Sequence, residues 1–299
     1  MLSEALRSSL EGCARSAIGM DFRIDCITPI SGGDINTTLK LGGSTSDVFV
    51  KLRPAGDLAM FAAEADGLRA LSRCPALRTP AVLGLGEADG HAFLLLEWLD
   101  IAPLRSDAEA RRAGEALAEL HRCTGEHFGW PQDNFIGSTP QTNGETDNWS
   151  QFFVQKRLQP QFALAARNGF KGELQQHGER ICEKTPGLFI DYHPRPSLLH
   201  GDLWSGNIGA LPDGTPVLFD PACHFGDREA DVAMSELFGG FPLGFYAAYR
   251  TALPLHENYE RRKALYNLYH ILNHLNLFGR GYLNQSLKLA GQLARELGR

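Results

Sequence analysis

LLHGDLWSGN, residues 198–207, is the stretch on which the reading of this chain turns. Two leucines lead, as a buried strand end would, into His200, Asp202, Trp204 and Asn207. One polar residue in such a place is an ordinary cap or an Asx-turn. Four of them, with an aspartate and an asparagine five positions apart, ask for a chemical task.

Phosphoryl transfer asks a protein for little covalent work. It needs a group that orients the attacking hydroxyl and oxygens that hold magnesium against the phosphates. The kinase catalytic loop H-R-D-x-x-x-x-N supplies both at this same aspartate-to-asparagine offset. Asp202 is therefore the candidate to accept, or at least orient, the proton of an acceptor hydroxyl. Asn207 is the candidate to offer its amide oxygen to Mg2+, a hard cation that takes oxygen ligands.

The turn LPDGTP (211–216) predicts a hairpin that returns Val217-Leu218-Phe219-Asp220 alongside. A carboxylate ending so apolar a strand is costly unless paired, which makes Asp220 the second metal ligand. Its Asp-Pro-Ala stands where kinases carry Asp-Phe-Gly. For Asp202 alone a capped strand end competes well. The three residues together, in order across a hairpin, leave that reading little room.

The upstream parts follow. Val48-Phe49-Val50-Lys51 ends a strand in lysine, as V-A-I-K does, and would bring Lys51 to the nucleotide phosphates. Glu64, thirteen residues on in the next helical pattern, can pair with it. Gly32 and Gly33, in Ser-Gly-Gly-Asp (31–34), occupy the place of a nucleotide-covering turn without the full G-x-G-x-x-G. Leu94 to Leu99 reads as a buried strand running into a joint, where backbone groups of Glu97, Trp98 and Leu99 would meet adenine.

The texture of the chain agrees with two units. Residues 2–18 have a helical pattern. The segment 22–52 alternates in short β-rich runs broken by Gly-Gly at 32–33 and 42–43, both predicted to be hairpin turns. A helix over 58–74 and two strands meeting at Asp89-Gly90 complete an antiparallel sheet of about five strands. After Asp100 the spacing is helical: 107–124, 149–168, 171–183, 227–238, 242–252 and 257–296, the last as two helices, with a loop over 129–148. The expected fold class is α+β, a nucleotide-covering sheet over residues 1–100 and a helical unit over 101–299, joined at 97–102.

Bulk composition excludes several classes. The 299 residues are 43% hydrophobic and 21% charged, ordinary for a globule with sizeable cores. A net charge of −6 disfavours a nucleic-acid binder. No run approaches 18 apolar residues, so no membrane span is expected, and the N-terminal segment lacks the apolar core of a signal peptide. Cysteines at 13, 26, 74, 123, 182 and 223 form no CxxC pair and read as free thiols of a cytoplasmic protein.

On these residues the sequence resembles the fructosamine kinase (ketosamine kinase) family, relatives of the aminoglycoside phosphotransferases with a protein-kinase-like fold. The likeness also runs through Phe61–Glu64, FGWPQDNFIGSTPQTN (128–143), WSQFFVQKRLQPQ (149–161), READVAMSELFGGF (228–241) and LYNLYHILNHLNLFGRGYL (265–283). It implies ATP- and Mg2+-dependent phosphorylation of a ketosamine, the adduct of a sugar with an amine or a protein lysine. The 3-phosphate product sheds the sugar, which makes the activity a repair of glycation. Microbial members are expected to favour ribulosamines and erythrulosamines over fructosamines. Two positions depart from the pattern. Asp34 stands where many members have cysteine, so no disulfide-controlled dimer is expected and the protein is a monomer or homodimer. Asp227 stands where many have histidine.

Remaining candidates for substrate contact are Trp204, whose indole can stack on a sugar, His200, Asp227 and Arg228, and His270 with His274, one helical turn apart. The last two lack the third ligand a zinc site needs. Glu229 and Asp231 are expected to complement a helix N-terminus. Trp130, Trp149, Phe152 and Phe153 are expected in the core. Two rival functions stay open: a kinase of another small alcohol, such as an aminoglycoside or choline, and a non-catalytic ATP-binding scaffold.

Overall fold

The computed structural model describes residues 2–30, 36–44 and 46–298. Helix α1 (Glu4–Ile18) precedes strands β1 (Ile24–Pro29), β2 (Thr37–Gly43) and β3 (Val48–Pro54), helix α2 (Leu58–Leu71), and strands β4 (Val82–Ala88) and β5 (His91–Glu97). The five strands pair antiparallel in the order β1-β2-β3-β5-β4. Asp89 and Gly90 both adopt positive φ, 49° and 72°, as a tight two-residue hairpin turn demands.

Strand alternation assigns the two faces of the sheet. Phe93 and Leu95 of β5 pack with Leu6, Leu10 and Ala14 of α1. Ala92, Leu94 and Leu96 pack with Phe61, Ala65 and Leu68 of α2. Cover on both faces explains why β5 reads as an unbroken apolar run. In β3 the same alternation sends Val48, Val50 and Leu52 toward α1 and Phe49 toward α2. Lys51, two residues after Phe49, therefore emerges on the α2 side.

One predicted turn is corrected. Gly42 and Gly43 lie inside β2, and the connection follows them. A side chain at Gly43 would strike the ring of Phe22, 2.2 Å from the position of its Cβ, so glycine here serves close packing. Gly32 and Gly33 lie outside the described residues.

The remainder is mostly helical: α3 (Asp107–Arg122), β6 (Asn134–Ile136), β7 (Thr139–Gln141), α4 (Trp149–Phe152), α5 (Gln159–Arg167), α6 (Glu173–Lys184), β8 (Ser197–Leu199), β9 (Ile208–Ala210), β10 (Pro216–Leu218), β11 (His224–Gly226), α7 (Glu229–Leu237), α8 (Leu243–Ala252), α9 (Tyr259–Phe278) and α10 (Leu283–Glu296). A capping box of Ser106 and Glu109 starts α3. Between α4 and α5 a π-helical turn, Phe153–Leu158, interrupts what the spacing predicts as one helix. The expected loop at 129–148 holds the β6–β7 hairpin, whose buried amides Asn134 and Gln141 hydrogen-bond each other.

One large core joins α3, α7 and α9, and Leu71 at the end of α2, with Cys74 and Leu77 just after it, enters it. Arg78 then pairs with the β9–β10 hairpin, its N–H donating to Pro216 O at 2.8 Å and its carbonyl accepting from Leu218 N–H at 2.9 Å. The sheet is thus anchored beside β10, which ends two residues before Asp220. Trp130, Trp149, Phe152 and Phe153 are core residues, as expected. Among the described residues no helix is long and apolar enough to cross a membrane.

Candidate active site

Lys51 is the residue around which the site is built. Its side chain is 4% exposed, and Nζ lies 2.6 Å from Glu64 Oε1 and in contact with Asp220 Oδ1. Burial opposes its charge, but the two carboxylates outweigh this and hold the ammonium protonated beyond its ordinary range. Glu64 follows Phe61 by three residues and precedes Leu68 by four, so the stripe that packs α2 on the sheet also aims its carboxylate at Lys51. Burial, and then Asp220, push the Glu64 carboxyl up to about 7 against the pull of Lys51. Asp220 itself sits at φ 56°, a left-handed conformation rare outside glycine, and its side chain is 44% exposed. Such backbone strain persists where surrounding structure enforces it, and it clusters at functional sites.

The segment between β8 and β9 that carries Asp202 is fixed from beneath. Asp231 of α7 accepts from the backbone N–H groups of His200 (2.7 Å) and Gly201 (2.9 Å) and from His121 Nε2 (3.2 Å). Those donors hold its carboxyl below the ordinary range despite full burial. Gly201 has φ 84°, and a Cβ there would stand 2.1 Å from Ala222 O. His200 accepts from Asp202 N–H at Nδ1 (3.2 Å) and therefore donates from Nε2 to Phe219 O (2.9 Å). Burial keeps it neutral.

Asp202 then projects from this braced turn. Asn207 Nδ2 donates to its carbonyl (2.9 Å) and toward its Oδ2 (3.3 Å), which leaves the Asn207 amide oxygen free of that pair. Burial, then the charges of Asp220 and Asp231, raise the Asp202 carboxyl to about 7. Two carboxylates and an amide oxygen within mutual electrostatic reach form a donor set short of positive charge. That set suits a magnesium ion completed by phosphate oxygens and water.

At the end of β5, Glu97 spends its carboxylate on Arg78 (2.6 Å) and its N–H on Ala81 O (2.8 Å). Leu99 O accepts from Ile101 N–H. Trp98 packs near Phe49 at 6.4 Å and beneath Lys40 Nζ at 4.3 Å.

Several residues expected to contact substrate are bonded within the protein. Asp227 is fully buried and accepts from Tyr192 OH (2.8 Å), Tyr266 OH (2.6 Å) and Glu229 N–H (3.0 Å). Arg228 donates to Tyr249 OH and to the carbonyls of Leu253 and Pro254. His200 is fully buried and bonded on both nitrogens. For Asp227 and His200 burial obliges each polar atom to take a protein partner, while Arg228 is half-buried. Glu229 and Asp231 are likewise no mere helix-end charges: Glu229 forms a buried pair with Arg262 at 2.7 Å. His274 sits among Phe238, Phe278 and Tyr282 and bonds His270 O. Trp204 is 38% exposed beside Asp202. Among the described residues no group of three His, Cys, Asp or Glu could hold a metal. Sequence reasoning missed His121 and Arg157, since nothing in an amphipathic helix pattern marks which polar residue turns inward.

The profile of the fructosamine kinase family matches residues 8–296. The chain is 45% identical over 278 residues to a "probable ketoamine kinase" of Synechocystis sp., covering 93% of each. It is 37% identical over 282 residues to the chloroplastic protein-ribulosamine 3-kinase of Arabidopsis thaliana, covering 93% of this chain and 86% of that one. A crystal structure of a "putative fructosamine-3-kinase" from Haemophilus somnus superposes with a TM-score of 0.87 at 30% identity, over 95% of this chain and 96% of that one. An aminoglycoside phosphotransferase, APH(4)-Ia, superposes at 0.65 with 13% identity, over 96% and 98%. That likeness is one of fold: the two-lobed, protein-kinase-like α+β fold.

Proposed function

The chain belongs to the fructosamine kinase family, and we propose that it is an ATP-dependent kinase that phosphorylates the O3 hydroxyl of ketosamines. The observation that carries this reading is Lys51 held between Glu64 and Asp220, with Asp202 and Asn207 joined beside them. ATP lies at the joint near 97–102, between a sheet lobe and a helical lobe. Lys51, kept in place by Glu64, meets its phosphates. Asn207 and Asp220 would hold magnesium, which would supply positive charge against the phosphates. Asp202, on a turn fixed by Asp231, orients the acceptor hydroxyl and takes its proton. Trp204 offers its exposed face to the sugar.

The names of the relatives, ketoamine kinase and protein-ribulosamine 3-kinase, support a ketosamine acceptor phosphorylated at O3. On this reading ribulosamines and erythrulosamines, on free amines or on glycated lysines, are the substrates, and loss of the phosphorylated sugar restores the amine. The setting is the cytoplasm. Coupled ATP turnover across ribulosamine, erythrulosamine, fructosamine and an aminoglycoside, with and without Mg2+, tests it. Magnesium-dependent turnover with the ketosamines is expected. Turnover only with the aminoglycoside, or none with any acceptor, refutes it.

A further inference from the structure

Four buried side-chain atoms lack a hydrogen-bond partner among the described residues, and two of them, Arg157 Nε and His270 Nδ1, belong to residues lining one cavity. The cavity measures about 10 Å3, the room one water or one hydroxyl oxygen takes. Gly201, Asp231, His224 and Tyr269 also line it, among apolar neighbours. It therefore lies directly against the turn that carries Asp202. Tyr269, whose hydroxyl donates to Gln141 Oε1, feels the charges of both Arg157 and Asp202.

Arg157 is an unusual interior residue. It is 1% exposed and has no carboxylate partner among the described residues. Its terminal nitrogens donate to Thr142 O (2.8 Å), Lys156 O (3.0 Å) and Asn143 Oδ1 (2.7 Å), and its plane covers the Phe152 ring at 4.7 Å. One donor, Nε–H, is left over. The π-helical turn Phe153–Leu158 carries this side chain inward, and such turns recur at functional sites. A buried charge with an unspent donor is costly unless some group arrives to take it. His270 is 4% exposed and neutral, because burial first, then His274 and Arg157, disfavour its protonated form.

The walls select the occupant. Arg157 repels an ammonium group, and Asp231 repels a carboxylate or phosphate oxygen. A neutral hydroxyl suits both free atoms, since it accepts from Nε–H and donates to Nδ1. We propose that this cavity is a specificity subsite that binds one hydroxyl of the sugar acceptor, other than the one phosphorylated, between Arg157 Nε and His270 Nδ1. The inference rests on the reading of the chain as a ketosamine kinase.

The test begins with the unaltered protein, MgATP, a ribulosamine, and its 4-deoxy and 5-deoxy analogues. One analogue is expected to lose roughly 10–100-fold in kcat/KM, because it leaves buried polar atoms unpaired. His270→Phe and Arg157→Lys should slow the parent substrate by a similar factor, leave KM for ATP within about twofold, and add little to the loss with that analogue. Analogues that all match the parent, with the variants slow, would make the occupant a resident water and overturn the subsite. Losses that simply multiply would overturn it as well. No turnover of any ketosamine by the unaltered protein would instead refute the function itself. The analogue comparison needs no substitution, so a variant that fails to fold does not remove the test.

Discussion

Lys51 and Asp220, 169 positions apart in sequence, form an ion pair that ties the central strand of the sheet to the end of the β9–β10 hairpin. The same ammonium serves Glu64, so one buried cation balances two carboxylates. Lys51→Met should cut turnover at least ~100-fold, by loss of charge stabilisation at the transferring phosphate. Its effect on stability should depend on pH. Glu64, whose carboxyl already stands near 7, would take up a proton once the lysine is gone. A carboxyl raised in the folded state favours folding at low pH, and that benefit disappears as pH climbs past the folded pKa. The deficit of the variant should be larger at pH 8 than at pH 5.5, by about 1–2 kcal/mol. Urea unfolding at the two pH values measures it, and equal deficits would contradict it.

Asp202 is held at a cost to the fold. Its carboxyl, raised to about 7 by burial, Asp220 and Asp231, ionises near 4 in an unfolded chain. Without nucleotide or metal, stability should therefore decline between about pH 4 and pH 7 on account of this group. Asp202→Asn removes the strain. It should be more stable than the parent by about 1–3 kcal/mol at pH 8, with the gain fading toward pH 4.5. Chemical denaturation across that range would show the crossover. A variant destabilised at every pH would mean the aspartate is structural.

Asp231 differs from Asp202 in its donors: it accepts from two backbone N–H groups and a histidine. Asp231→Asn gives up an anionic acceptor shared by His200 N–H, Gly201 N–H and His121. The expected loss is about 2–4 kcal/mol in stability. Turnover should fall while KM for ATP stays put, since Lys51 is untouched. Thermal denaturation beside steady-state kinetics separates the two effects. A rise in the KM for ATP alone would place the residue with the nucleotide.

Much of this was legible in the sequence because local chemistry carried it. The Asp202–Asn207 offset, the hairpin back toward Asp220 and the strand that carries Lys51 are short-range signals, although that strand runs on past Lys51 to Pro54, and the five-stranded sheet follows from alternation and the Asp-Gly turn. The failures have a common physical origin. Gly42 and Gly43 look like a turn, but the ring of Phe22 decides their place. Asp227 and Arg228 read as candidate substrate contacts because they are polar beside a motif, and Glu229 as a helix-end charge, but their tertiary partners Tyr266, Tyr249 and Arg262 carry no local signal. The π-helical turn that brings Arg157 inside has no spacing signature.

The most direct test of the central claim is single-turnover and steady-state kinetics of Asp202→Asn with MgATP and a ribulosamine, alongside its affinity for ADP. The account predicts a fall in kcat of about 10²–10⁴-fold with nucleotide affinity retained. A near-normal kcat with the ketosamine would contradict it.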